Sequence, residues 1–224
     1  MHRRSVLFFA GLILLQSVLY GFGDPISKAA YETMSVYSLM TVRYAIAVAA
    51  LLLVCGRRIA QGLRAVSVRL WLVPSLCIAA GYVLNNIALN LTTATSATFL
   101  RSMAIILTPI LAFLIHRTRY RWVHIPLQLL VVVGLYLFCG GFSGFGVGEL
   151  VGFLSAVCIA GSLVSSGTAL QQMDALTLTT VQAAASMVMA FVCAFIFEGG
   201  LTLKGASPVN WAIILYLALA CTLL

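Results

Sequence analysis

Charge is scarce in this chain. Asp, Glu, Lys and Arg together make up 8% of its 224 residues, against about a quarter in a soluble domain, and that shortage excludes a water-soluble globule. Clustered cysteines are missing too: Cys55, Cys77, Cys139, Cys158, Cys193 and Cys221 never come closer than 19 residues. That spacing gives neither a CxxC site nor a disulfide framework, and the thiols read as small buried hydrophobes. His2, His116 and His124 stand apart from one another and from any cysteine cluster, so no metal-ligand spacing exists. No GK[ST] follows a glycine-rich stretch, so the chain carries no phosphate loop for a nucleotide. The sequence therefore calls for no metal and no cofactor.

Apolar residues are what the chain has in abundance, at 62%. They come in blocks of about 20, the length a helix needs to cross roughly 30 Å of hydrocarbon. Hydropathy places spans at Ser5–Phe22, Ser35–Cys55, Leu70–Leu91, Thr93–Ile115, Trp122–Phe142, Gly148–Leu170, Leu176–Phe197 and Pro208–Leu224. The blocks are apolar on all faces, unlike barrel strands, which alternate with period two. The expected class is an all-α polytopic membrane bundle of about eight transmembrane helices.

The 13 basic residues against 5 acidic ones then read as orientation signals rather than as a nucleic-acid surface. Arg3, Arg4, Arg57, Arg58, Arg64, Arg69, Arg117, Arg119 and Arg121 fall on one side if the spans alternate, and only Lys28 and Lys204 on the other. The positive-inside rule makes the N-terminus cytoplasmic, in a multi-pass protein of the plasma membrane, the inner membrane in a bacterium. Asn90-Leu91-Thr92 matches a glycosylation sequon but lies in a very short connection and reads as coincidence.

An offset of 139 residues aligns Leu15 with Leu154, Ser27 with Ser166, Ala30 with Ala169, Met34 with Met173, Leu39 with Leu178 and Thr41-Val42 with Thr180-Val181. Five spans separate the copies, and an odd number inverts one against the other, as in many secondary transporters. The units are 1–145, with five helices, and 146–224, with about three. Two full copies would need some 54 residues more than are present, so the chain is either a fragment or a shortened member that completes its bundle by oligomerising, for instance as a homodimer.

Several stretches carry a family likeness: Thr41-Val42-Arg43-Tyr44, Ser96–Leu100 through Thr108-Pro109-Ile110-Leu111-Ala112, Gly134-Leu135-Tyr136-Leu137, Gly148-Glu149-Leu150, and Asp174-Ala175-Leu176 with Gln182. Together they resemble the EamA-type transporters of the drug/metabolite transporter superfamily, over nearly the whole chain. The resemblance implies a ten-helix, two-repeat fold, a cytoplasmic N-terminus and export or exchange of small metabolites. The chain departs from that pattern at His116-Arg117-Thr118-Arg119, which lacks a glutamate common there, and at Arg101, where small or apolar residues are usual.

An ionisable group in hydrocarbon costs at least about 2.5 kcal/mol, so it needs a partner or a wet cavity. Arg43 and Arg101 each lie eight residues into spans that enter from the same face, and Gln16, Asn85 and Asn86 fall in a similar layer. Asp24, Glu32, Glu149, Asp174 and Glu198 all read as end or connection residues, so Arg101 has no acidic partner inside a span. That singles out Arg101 as a binder of an anionic or carboxylate-bearing substrate, while Arg43 reads as a structural charge. Pro109 frees a carbonyl and should kink the fourth span near Arg101. Ser162 and Gln182, with Ser165, Ser166, Thr168 and Ser186, are candidates for the other half of the cavity, although small polar residues also glue helices together. Gly144, Gly148 and Gly152 follow the small-x3-small spacing of close helix approach.

Two other readings compete: an intramembrane enzyme built on Ser165-Ser166-Gly167, and a non-transporting assembly or sensor subunit. The first has no nearby histidine in sequence and no pair of membrane-depth aspartates. The favoured function is a secondary transporter for a small molecule, with no enzyme activity, embedded in lipid. The arginine bias makes a direct prediction. In intact cells, Arg64→Cys in a cysteine-free background should resist an impermeant maleimide and label only after permeabilisation; strong labelling beforehand would reverse the topology.

Overall fold

The computed structural model describes residues 11, 14–19, 21–117, 125–126, 128–130, 133, 136, 146–202 and 208–219. Among the described residues the regular elements are all helical: α1 Gly23–Tyr31, α2 Val36–Ala65, α3 Val68–Leu91, α4 Ala94–Ser102, α5 Ala104–His116, α6 Val147–Ala169, α7 Ala175–Glu198 and α8 Pro208–Ala218. Five stretches are long and apolar enough to span a membrane, namely α2, α3, α4 with α5, α6 and α7. The protein is an all-α, multi-pass membrane bundle. Most of the expected fifth span, Trp122–Phe142, lies outside the described residues, as do Arg3, Arg4, His2, Arg119, Arg121, His124, Cys139, Gly144, Lys204 and Cys221.

Two span ends differ from the hydropathy reading. The first span does not stop at Phe22: the Phe22 N–H bonds Val18 O at 3.4 Å, the Ile26 N–H bonds Phe22 O at 3.1 Å, and the helix runs on to Tyr31. Asp24 and Lys28 are therefore helical residues, not residues of a connection. The second span does not stop at Cys55, because α2 continues for 30 residues to Ala65 and carries Arg57, Arg58 and Arg64 on its last turns. Arginine is a good helix former, so the helix outlasts the apolar block. Only Val66 and Ser67 then separate α2 from α3.

Side-chain caps set other boundaries. Ser35 opens α2 by accepting from the Ser38 N–H at 3.2 Å, and Thr93 opens α4 by accepting from the Ser96 N–H at 3.1 Å. Gly199, at φ 71°, takes the left-handed position that closes α7.

Antiparallel helix pairs form the centre. In the α3–α6 pair, Ser155 Oγ donates to Gly81 O at 2.8 Å and Ser162 Oγ donates to Pro74 O at 2.9 Å. Glycine lets these backbones approach: a Cβ on Gly81 would stand 2.7 Å from Ile159 Cγ1, and one on Gly148 would stand 3.1 Å from Leu91 Cβ. A Cβ on Gly152 would stand 2.8 Å from Leu100 Cδ1, so the small-x3-small spacing serves close approach to α3 and α4. In the α2–α7 pair, Ser35 Oγ donates to Glu198 Oε2 at one end, and Arg58 meets Asp174 at 3.1 Å at the other. Val36, Met40, Tyr44 and Val48 bury against Val83, Ala183 and Ala190 between them.

A few residues 139 apart hold corresponding positions in their helices. Val36 and Ala175 each begin a helix, and the buried triplets Ala30, Met34, Leu39 and Ala169, Met173, Leu178 each form their own cluster. The first cluster packs on Ile214 and Leu217 of α8, the second on Leu63, Leu70 and Trp71. Cys55, Cys77, Cys158 and Cys193 are half-buried free thiols.

The α3–α6 contact predicts a contrast between two glycines. Gly81→Ala should lower stability by about 1–3 kcal/mol through overpacking against Ile159. Gly161→Ala, where a Cβ meets nothing within 4 Å among the described residues, should be neutral or gain up to about 1 kcal/mol from helix propensity. Thermal unfolding in detergent checks both.

Candidate functional site

Seven residues is the common measure of this site. Asp24 lies seven residues before Tyr31, Arg43 seven after Val36 and Arg101 seven after Ala94. All three helix ends lie on the face opposite the arginine-rich one, so these charges share a depth of about 10 Å at 1.5 Å per residue. Gly23, Asp24, Ser27, Arg43, Tyr44, Tyr82, Asn85, Asn86 and Arg101 line one pocket there, with a volume of about 20 Å³, room for a single water.

Arg101 is not without an acidic partner. Its Nη1 donates to Asp24 Oδ1 at 3.2 Å, and its Nη2 lies 3.1 Å from Oδ2. The fork geometry is bidentate, and the Thr98 hydroxyl adds a bond to Oδ2 at 3.2 Å. The sequence reading misses this pair because it ends the first helix before Asp24. Arg43 lines the same pocket, with its guanidinium 5.2 Å from the Tyr44 ring centre, so placement does not separate a binding arginine from a structural one. The Asn85 Oδ1 atom is buried and accepts no hydrogen bond among the described residues. Asn86 is held at both ends: its amide donates to Tyr82 O at 2.7 Å, and its carbonyl accepts from the Tyr31 hydroxyl.

Polar contacts between helix ends lie on the side of the pocket nearer that opposite face. Lys28 Nζ donates to Leu89 O at 3.0 Å and to Thr92 O, capping the C-terminus of α3, where a cation meets the negative end of the helix dipole. Thr92 Oγ1 donates to Glu149 Oε1, and the other carboxylate oxygen accepts from the Gly146 N–H at 2.9 Å. Elements α1, α3 and α6 are thereby tied together at one end.

Comparison with known proteins agrees with this architecture. Residues 7–140 match the model of the EamA-like transporter family. The chain belongs to that family. It is also 29% identical over 140 residues to an uncharacterized transporter of Archaeoglobus fulgidus, a match covering 62% of this chain and 42% of the relative.

The remaining candidate residues of this EamA-family chain are dispersed. Gln16 is exposed and lies fifteen residues before Tyr31, outside the pocket, because the first helix extends farther than its apolar block. Ser162 is spent on Pro74 O, and Gln182 Nε2 donates to Ser166 Oγ at 3.0 Å, so both join helices away from the two arginines. Ser165 Oγ donates to Gly161 O within its own helix. Pro109 sits inside α5, and the interruption falls at Met103, two residues past Arg101, where the N–H turns to Leu100 O at 3.0 Å. The Ser102 and Thr108 hydroxyls bond back to Thr98 O and Ala104 O on either side, a habit that bends helices.

The sequence reading passes over Asp24, Ser27, Tyr31, Lys28, Tyr44 and Tyr82. A signal for the first four was present: Asp24, Ser27, Lys28 and Tyr31 recur at i, i+3, i+4 and i+7, a polar stripe on one helical face.

The ion pair makes a clear prediction. With side chains only 18% and 14% exposed, Arg101→Gln should destabilise by roughly 3 kcal/mol, since it strands a carboxylate at membrane depth. Asp24→Asn in the same chain should restore part of the loss, and a double-mutant cycle on unfolding midpoints measures the coupling. Additive losses would mean the pair does not interact.

Proposed function

We propose that this EamA-family chain is a secondary transporter that moves a small metabolite bearing an anionic group, such as a carboxylate, across the plasma membrane by export or exchange, with a cytoplasmic N-terminus. The observation that carries the reading is the charge of the pocket: two guanidiniums and one carboxylate line it. An arriving anion balances the surplus positive charge and competes with Asp24 for the bidentate fork of Arg101. The room for a single water implies that the site opens before a metabolite enters, and the Lys28 and Glu149 contacts are the closure to be released.

The antiparallel run of α2 and α7, with a few residues 139 apart at corresponding positions, supports a division into inverted units at 1–145 and 146–224. Rocking one unit against the other would expose the pocket to alternate faces.

A thermal-shift screen of the purified chain tests the substrate class, because a ligand that binds the folded state raises its apparent stability. Carboxylates should shift the midpoint where matched amines do not. Asp24→Asn should tighten carboxylate binding by freeing Arg101. Arg101→Gln should weaken it by about 1.5–3 kcal/mol, the range for a hydrogen bond to a charged group. Amine-selective shifts, or carboxylate affinity unchanged in both variants, would reject an anionic substrate.

A further inference from the structure

A second cavity, of about 610 Å³, lies between α2, α3 and α7 and is lined by other residues than the arginine pocket. Its walls include Leu52, Leu63, Trp71, Leu76, Ala184 and Val188. Two hydroxyls reach this lining, and both are turned into their own helices: Ser75 Oγ donates to Trp71 O at 2.6 Å and Thr180 Oγ1 to Leu176 O at 2.8 Å. The trough offers almost only hydrocarbon to an occupant, the exception being the buried Trp71 indole N–H, which has no partner among the described residues. Its rim is apolar and open, with Leu52, Leu76 and Val188 each about half exposed. All three helices are long and apolar enough to span a membrane.

Charge distinguishes one end of this trough from the other. Ile59 and Leu63 line it close to the C-terminus of α2, and Trp71 and Leu72 line it close to the N-terminus of α3. The exposed Arg64 follows Leu63, and the exposed Arg69 precedes Leu72 by three residues. At 100° per residue Arg69 falls about 20° from Leu76, on the face that lines the trough, whereas Arg64 falls about 100° from Leu63 and reaches the same end only by folding its long stem over the helix terminus. The two-residue link between α2 and α3 holds both arginines at the same end. Arg58 is matched there by Asp174 at 3.1 Å. Arg64 and Arg69 have no carboxylate within ion-pair distance among the described residues.

We propose that this trough is a binding site for an anionic phospholipid, one acyl chain lying along α2, α3 and α7 and the headgroup phosphate held by Arg64 and Arg69. The volume is about four times that which accepts a benzene ring, so a chain of about 16–18 carbons fits. The arginine bias places this end in the cytoplasmic leaflet, where anionic lipids and basic pockets between helices meet. The site is independent of the transported substrate.

Native mass spectrometry of the purified full chain, released from micelles containing equal phosphatidylglycerol and phosphatidylcholine, tests the site. The wild type should retain phosphatidylglycerol in preference. Arg64→Gln with Arg69→Gln should cut that retention by about fivefold per arginine, towards the phosphatidylcholine level. Ala185→Phe, which fills the trough, should reduce retention with both arginines intact, and Arg117→Gln, on another helix, should leave it unchanged. The two arginines are exposed, and a phosphatidylcholine melting baseline equal to wild type verifies that the double variant folds. Equal retention of the two lipids, undiminished phosphatidylglycerol in either the double-arginine or the Ala185→Phe variant, or a lipid-free dimer would each overturn the proposal.

Discussion

The close antiparallel contact of α3 with α6 is the constraint on which the other placements rest. Lipid offers helices no hydrophobic drive to associate, so contact depends on fit and on hydrogen bonds made without water. Gly81, Gly148 and Gly152 remove the side chains that would hold the backbones apart, and Ser155 and Ser162 then reach the carbonyls of the facing helix. With α3 fixed in this way, Asn85 and Asn86 are set at one depth and α4 is brought beside α6. The arginine pocket is assembled on that frame.

A guanidinium at membrane depth imposes a second demand. Arg101 is tolerated because α1 brings a carboxylate to it, and α1 can do so only by remaining helical through Gly21-Phe22-Gly23. One helix thereby supplies three polar contacts along a single stripe: Asp24 to Arg101, Lys28 to the end of α3, and Tyr31 to Asn86. Loss of any one would loosen the pocket at a different height.

Hydropathy made the helix class, the spans of α3, α6 and α7, and the layer of Arg43, Asn85, Asn86 and Arg101 legible, because the cost of burying charge in hydrocarbon writes itself into composition. It did not reveal where helices end. Two glycines and an aspartate look like a turn but continue α1, and three arginines look like a loop but continue α2. Both errors share one cause: apolar content reports the solvent around a helix, whereas backbone hydrogen bonding sets its length. Gln16 was misplaced in depth, and Asp24 hidden as a partner, by that same misplaced end. Ser162 and Gln182 were ambiguous for another reason, since a small polar side chain does not declare whether it faces a neighbour helix or a cavity.

The 30 residues of α2 amount to about 45 Å of helix, against roughly 30 Å of hydrocarbon. Its first 21 residues, from Val36 to Gly56, carry one charge, and Arg57 follows them, so the length before the arginine-rich end nearly equals the bilayer and the surplus is basic. Such a rod is matched to one membrane thickness. In a thinner bilayer it must tilt, and in a thicker one Arg57 must stretch back to the headgroups. Because α7 is fastened to α2 at both ends, by Glu198 and by Asp174, the two lean together. Bilayer thickness thereby becomes a mechanical input to the bundle, delivered through the angle of a single long helix.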